Sequence, residues 1–260
     1  MRSSSVAATG AGKTLASEVV ARSSPDGHTL YLQVITTHAI NASLYRRLPY
    51  DSVKDFMLIQ MLATTPPILV VHPSLPVKSI KELIAYAKAN PGKLYFGSSG
   101  TGGLQHFAGE LFNHRAGIKL VHLPYKGTAA VIPTMLAGDV QVGFGTLFGV
   151  RPHLPSGRLK ALAVTAGKRT PAAPELPTVV EAGVPEYELD QWYGVLTSAK
   201  VPAAIVRKLN AAINEATKSP DVAKRFAADG ATPEQFGAHV KSEIAKWRKL
   251  VKKAKLELQQ

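Results

Sequence analysis

Two glycine-rich stretches carry residue types able to bind or transform a small molecule. Ala7 to Thr14 reads A-x-x-x-x-G-K-T, a permissive form of the nucleotide-binding P-loop. Such a loop works only when a buried strand precedes it and holds its amides rigid under the phosphates. Met1 to Val6 is polar and too short for that strand. No apolar run ending in aspartate supplies a magnesium partner, so nucleotide hydrolysis through Lys13 and Thr14 is the weaker reading. The second stretch is Gly97-Ser98-Ser99-Gly100-Thr101-Gly102-Gly103, with three hydroxyls and four glycines. It stands where a strand pattern, Leu94–Gly97, gives way to a helical one, Leu104–Asn113. Glycine lets a backbone approach a ligand closely, and the first amides of a helix have no partner within it. A carboxylate or phosphate suits that position; a tight turn with capping serines is the plain alternative.

Other chemistries fail on spacing. A nucleophile elbow needs glycine where Thr101 stands. Gly143 and Gly145 are followed by Phe148, where a dinucleotide fingerprint requires glycine. There is no H-E-x-x-H, the eight histidines are scattered, and cysteine is absent, so neither a metal set nor thiol chemistry is readable. The sequence therefore points to no catalytic residue, no metal and no cofactor.

Three further loops sit at the ends of apparent strands: Thr36–Asn41, Pro124-Tyr125-Lys126-Gly127 and Gly145-Thr146-Leu147. In open α/β sheets, ligands bind outside the carboxyl ends of the strands. Small hydroxyls, glycines and amides dominate these loops, and no acid–base pair accompanies them. That is the profile of a binding cleft.

The elements that position these loops follow from periodicity. Apolar runs at Thr29–Ile35, Phe56–Leu62, Ile68–Val71, Leu94–Gly97, Leu120–Leu123, Val140–Phe144, Leu159–Thr165 and Gln191–Thr197 read as strands. They alternate with helical patterns, the mark of an α/β fold with mostly parallel sheets flanked by helices. Ser79 and Glu82 form a capping box for a helix over Ile80–Ala89. Thr128–Ala137 ends at Gly138, and Thr232 opens a long last helix with Phe236, Val240, Ile244, Trp247 and Val251 on its apolar side.

With 260 residues, 45% of them apolar and 19% charged, the chain suits two lobes better than one core. The cadence tightens between Leu94 and Thr165 and loosens in a Pro-rich stretch from Pro171 to Pro185. This predicts a first lobe of residues 1–95 and 188–260 around an inserted lobe, 96–187, with a hinge at the crossings. No uninterrupted apolar run reaches membrane-spanning length. The formal charge of +13 reads as a solvated basic surface, with the excess partly in Lys246–Lys255, or as a positive field that draws in anions. Nucleic-acid binding by that tail would need an aromatic-interleaved basic face, which the sequence lacks.

Several runs resemble the tripartite tricarboxylate transporter substrate-binding family, the Bug or TctC receptors. They are Leu94–Gly102 with His106, Val121–Gly127, Pro25–Leu30, Ser156–Thr165, Leu176–Gly183 and Trp192-Tyr193-Gly194. The similarity runs from about Gly10 to the end of the chain. It implies a periplasmic receptor of the Venus-flytrap type (periplasmic binding protein type II). Such a receptor is a monomer that holds a small carboxylate between its lobes and passes it to permease subunits of a tripartite tricarboxylate transporter. Carried over by position, the ligand-binding residues are Thr37 and His38 from lobe one. From lobe two come Ser98, Ser99, Gly100, Thr101 and Gly102, with Tyr125, Gly145 and Thr146 as weaker members. His38 and His106 read equally well as packing residues.

The resemblance breaks at the front. Family members begin, after a signal peptide, with a strand and a Gly-Gly loop, and nothing here matches them. Gly10–Leu15 sits instead where the family has a later Gly-Ala-Gly turn into a helix, which accounts for the P-loop-like pattern. The expectation is a chain lacking the family's first strand, with the lobe-one wall of the cleft incomplete.

Overall fold

The computed structural model describes residues 14–219 and 233–253. Residues 7–13 of the P-loop-like run, Thr232, and Ala254 and Lys255 of the basic tail lie outside them. The chain divides into two units, residues 1–64 with 192–260 and residues 65–191.

In the first unit, β1 (Tyr31–Val34), β8 (Trp192–Ser198) and β2 (Phe56–Thr64) form a sheet in the order β1-β8-β2. Both pairings are antiparallel, and β2 carries two register shifts. The helices of this unit are α1 (Thr14–Ala21), α2 (Ile35–Leu44), α7 (Ala203–Thr217) and a long helix we call α8 (Pro233–Lys253). On α8, Val240, Ile244, Trp247 and Val251 are all buried. Their spacing of four, three and four residues is the stripe a helix needs to cover a core. Each contributes roughly 1.5–3 kcal/mol by leaving water. Lys241, Arg248, Lys249 and Lys252 lie on the exposed side, so this part of the basic tail is a solvated face. Beneath α7, Ile59, Val195, Val201 and Val206 form a second apolar cluster with Ile205, Leu209 and Ile213 against it.

The second unit holds a five-stranded sheet in the order β5-β4-β6-β3-β7. Its strands are β3 (Pro67–Val71), β4 (Tyr95–Ser98), β5 (Val121–Pro124), β6 (Val142–Thr146) and β7 (Lys160–Val164). β4 runs parallel to β5 and β6, whereas β3 is antiparallel to both its neighbours. All five residues of β3 are buried, as a strand covered on both faces requires. The helices are α3 (Ile80–Ala89), α4 (Leu104–Ala116), α5 (Val131–Ala137) and the short α6 (Leu147–Val150). Phe96 points at Gly109 of α4, and the next residue, Gly97, faces Val131 of α5. Successive strand residues face opposite sides, so α4 and α5 cover opposite faces of the sheet.

The α/β fold class and all eight predicted strands are present. Parallel pairing between strands, expected to dominate, is confined among the described residues to β4, β5 and β6. The first crossing differs from its expected place near Tyr95. Residues 65–95 belong to the second unit because β3 pairs with β6 and β7, and the return crossing falls at Gln191/Trp192. The Pro-rich stretch is held in that unit by a parallel bridge between Val164 and Thr178. Buried Thr165 adds to this, with Oγ1 2.9 Å from the Pro67 carbonyl and 2.7 Å from that of Leu189.

Candidate functional site

Because β4, β5 and β6 are parallel, their carboxyl ends share one edge of the second sheet. The register aligns Gly97 with both Leu123 and Gly143. Residues two further on, Ser99, Tyr125 and Gly145, therefore stand at the same level. Backbone bonds tie the first two loops together: Tyr125 N–H donates to Ser98 O at 2.9 Å, and Gly127 N–H to Ser99 O at 3.2 Å. The structure thus gathers Ser98–Gly102, Tyr125, Gly145 and Thr146 at one edge.

The glycine-hydroxyl loop is heavily cross-braced. Gly100 and Gly102 have φ of +131° and +80°, conformations that L side chains rarely adopt. The amide of Ser99 donates to Gln105 Oε1 at 2.8 Å, and that of Gly100 to Ser98 Oγ at 3.2 Å. Gly102 N–H donates to His106 Nδ1, and Gly103 N–H to Gly100 O, both at 3.2 Å. Among the described residues, Thr101 alone in this loop keeps its amide clear of such a bond, and its side chain is exposed. The first intrahelical bond of α4 runs from Phe107 N–H to Gly103 O, so the amides of Leu104, Gln105 and His106 are the helix's unpaired donors. These donors and the hydroxyls offer a neutral, donor-rich wall to an anion.

Individual expectations change. Ser98 is fully buried, and its hydroxyl is committed, bonding to Gly100 O at 3.0 Å and to His122 Nε2 at 2.6 Å. It braces the loop from below. Tyr125 is half-buried, its ring packed against the apolar cluster around Val131. Gly145 and Thr146 end β6, paired with Ile68 and Pro67, and Thr146 Oγ1 caps α6 by accepting from Gly149 N–H at 3.3 Å.

In the first unit, the segment read as a loop, Thr36–Asn41, is helical, because α2 follows β1 without a linker. Thr37 and His38 lie on it. His38 is 0% exposed, enclosed by side chains of its own unit. Its Nε2 lies 2.9 Å from Ser52 O, and its ring packs on Phe56 and Tyr50 at 4.9 and 6.0 Å. Burial lowers its pKa from 6.5 to about 4, keeping it neutral.

His122 was not singled out by spacing. It sits beside Phe96 in the β4–β5 register and stacks on His106 with ring centroids 4.1 Å apart. Burial, and then the neighbouring His122, lower the pKa of His106 to about 4; burial lowers that of His122. No group of metal-ligating side chains forms among the described residues, and no described helix is long and apolar enough to cross a membrane.

Comparison with known proteins settles the class. A sequence profile for the tripartite tricarboxylate transporter family receptor matches residues 7–256. This chain belongs to that family. It is a solute-binding receptor and not an enzyme, as the resemblance implied. It is similar to BugT of Bordetella pertussis, 33% identical over 96% of this chain and 78% of that protein. Among solved structures it resembles Rpa4515 of R. palustris with adipate, at 34% identity and a TM-score of 0.85 over 93% of this chain and 82% of that one. It also resembles MatC of Rhodopseudomonas palustris with bound malate, at 30% identity and a TM-score of 0.82 over 93% and 85% of the two chains.

Proposed function

We propose that this receptor captures a small carboxylic acid in the periplasm at the carboxyl edge of its second sheet. The acid is delivered to permease subunits of a tripartite tricarboxylate transporter. One carboxylate is taken by the Thr101 amide and the first amides of α4, with Ser99 and Thr101 supplying hydroxyls. The observation that carries this reading is the braced loop Ser98–Gly103, whose remaining donors stand at a helix N-terminus. Amide and hydroxyl donors suit a carboxylate because bonds to an ionised acceptor are shorter and about twice as strong as neutral ones. The adipate and malate in the two related structures support an acid of that size. The family's name supports the permease partnership.

Calorimetric titration with a panel including adipate, malate, citrate and an aromatic acid tests the proposal. Saturable binding of at least one acid is expected, weakened about tenfold or more when Thr101→Pro removes both an amide and a hydroxyl donor. No heat with any acid contradicts the reading, as does equal affinity in the variant.

A further inference from the structure

We infer that His106 and His122 are positioning residues for the loop Ser98–Gly103, with His106 Nδ1 acting as a proton-sensitive pin on the Gly102 amide. The inference rests on the carboxylate reading of that loop, and it adds how the loop is held and when it lets go.

The two rings hold the loop at two points. His122 reaches it through Ser98 Oγ at 2.6 Å, and Ser98 in turn bonds both the amide and the carbonyl of Gly100. His106 reaches it through Gly102 N–H at 3.2 Å. The rings stack at 4.1 Å, and Phe96 lies 5.0 Å beyond His122 on a near-parallel plane. The column Phe96–His122–His106 thus ties the body of the sheet to Gly102, the residue that follows Thr101. Thr101 is held between a fixed Gly100 and a fixed Gly102.

The two contacts respond differently to a proton. Ser98 Oγ can donate to His122 Nε2 or accept from it, so this bond survives in either protonation state. Gly102 N–H needs an acceptor, and Nδ1 accepts only while His106 is neutral. Once Nδ1 is protonated, two N–H groups face each other and the pin opens. A second charge on His122, one ring-stack away, adds repulsion.

Few other charges act here. β6 brings no titratable side chain, and β4 brings Tyr95 at its far end. On α4, Glu110 lies one turn beyond His106, with His114 and Arg115 further along; Tyr125 and Lys126 follow β5. The charge that shifts His106 is that of His122.

The test uses the whole chain, 15N-labelled, with adipate and malate as probes. At pH 7 the Gly102 amide should be protected from exchange. That protection should vanish in His106→Ala and, in the unsubstituted chain, on acidification toward pH 4. His106→Gln places a non-titrating acceptor at the third helical position, from which Glu82 of α3 accepts from the amide of the residue before its cap, Lys78. It should restore protection and remove the pH dependence. Affinity for the acid that binds should fall about tenfold in His106→Ala and return in His106→Gln. Unchanged Gly102 protection in His106→Ala overturns the pin. So does an equal pH dependence in His106→Gln, or lost protection without lost affinity. If neither acid binds the unsubstituted chain, the carboxylate reading fails for these acids, while amide exchange still decides the pin. A misfolded His106→Ala is recognised by circular dichroism, and the pH titration of the unsubstituted chain then decides.

Discussion

The ring of Phe96 fills the space that a side chain at Gly109 would need: a Cβ there would overlap Phe96 Cε2. The contact sets how closely α4 approaches β4, and through His122, stacked on the same ring, it bears on the loop above. Alanine is ordinarily the better helix former by about 1 kcal/mol, but here its methyl meets the face of a fully buried ring. Gly109→Ala is expected to lose about 1–3 kcal/mol, read as a lower urea midpoint at unchanged slope. An unchanged or higher midpoint would mean that α4 does not pack this closely.

Ser79 caps α3, its Oγ accepting from Glu82 N–H at 3.2 Å, while Glu82 Oε2 accepts from Lys78 N–H at 2.8 Å. Glu82 thus satisfies the residue before the cap, where a standard box would satisfy the cap itself. Ser79→Ala should cost about 1 kcal/mol, measured by chemical denaturation. Ser79→Asp should cost much less, since aspartate also caps.

Acid should weaken the fold through His38. Its folded pKa is about 4 against an ordinary 6.5, so below pH 6.5 the unfolded chain binds a proton that the native chain refuses. The stabilisation is complete above pH 6.5 and drains away as the pH falls toward 4. The full loss is on the order of 3 kcal/mol. His106, depressed to about 4 as well, acts in the same direction. Unfolding free energies at pH 7.5 and 4.5 should differ, and His38→Gln should shrink that difference without abolishing it. An identical difference in His38→Gln would show that this ring titrates normally.

What the sequence disclosed was local. The β-branched run of β3 marks a buried strand, and Ser79 with Glu82 marks a helix start, whatever surrounds them. The apolar stripe Val240, Ile244, Trp247 and Val251 likewise needs only helical spacing. What stayed hidden depends on distant partners. Nothing in Ile68–Val71 says which sheet it will join, so the crossing lies some thirty residues before the place that the sequence cadence suggests. His38 is enclosed by Tyr50, Ser52 and Phe56, which arrive from later in the chain. Ser98 looks like a binding hydroxyl until the parallel register sets His122 beneath it. The glycine-hydroxyl loop stood out because glycines and hydroxyls cluster between a strand pattern and a helical one, a place that a capped tight turn also fills. Which of its groups remain to meet a ligand was not legible.

The measurement closest to the central claim is an amide map of acid binding. A 15N-labelled chain titrated with adipate or malate should shift Ser99–His106 most strongly, with smaller changes at Tyr125, Gly145 and Thr146. The amides around His38 should stay still. Changes centred elsewhere, with Thr101 and the first amides of α4 unmoved at saturation, would contradict the placement of the carboxylate at this edge.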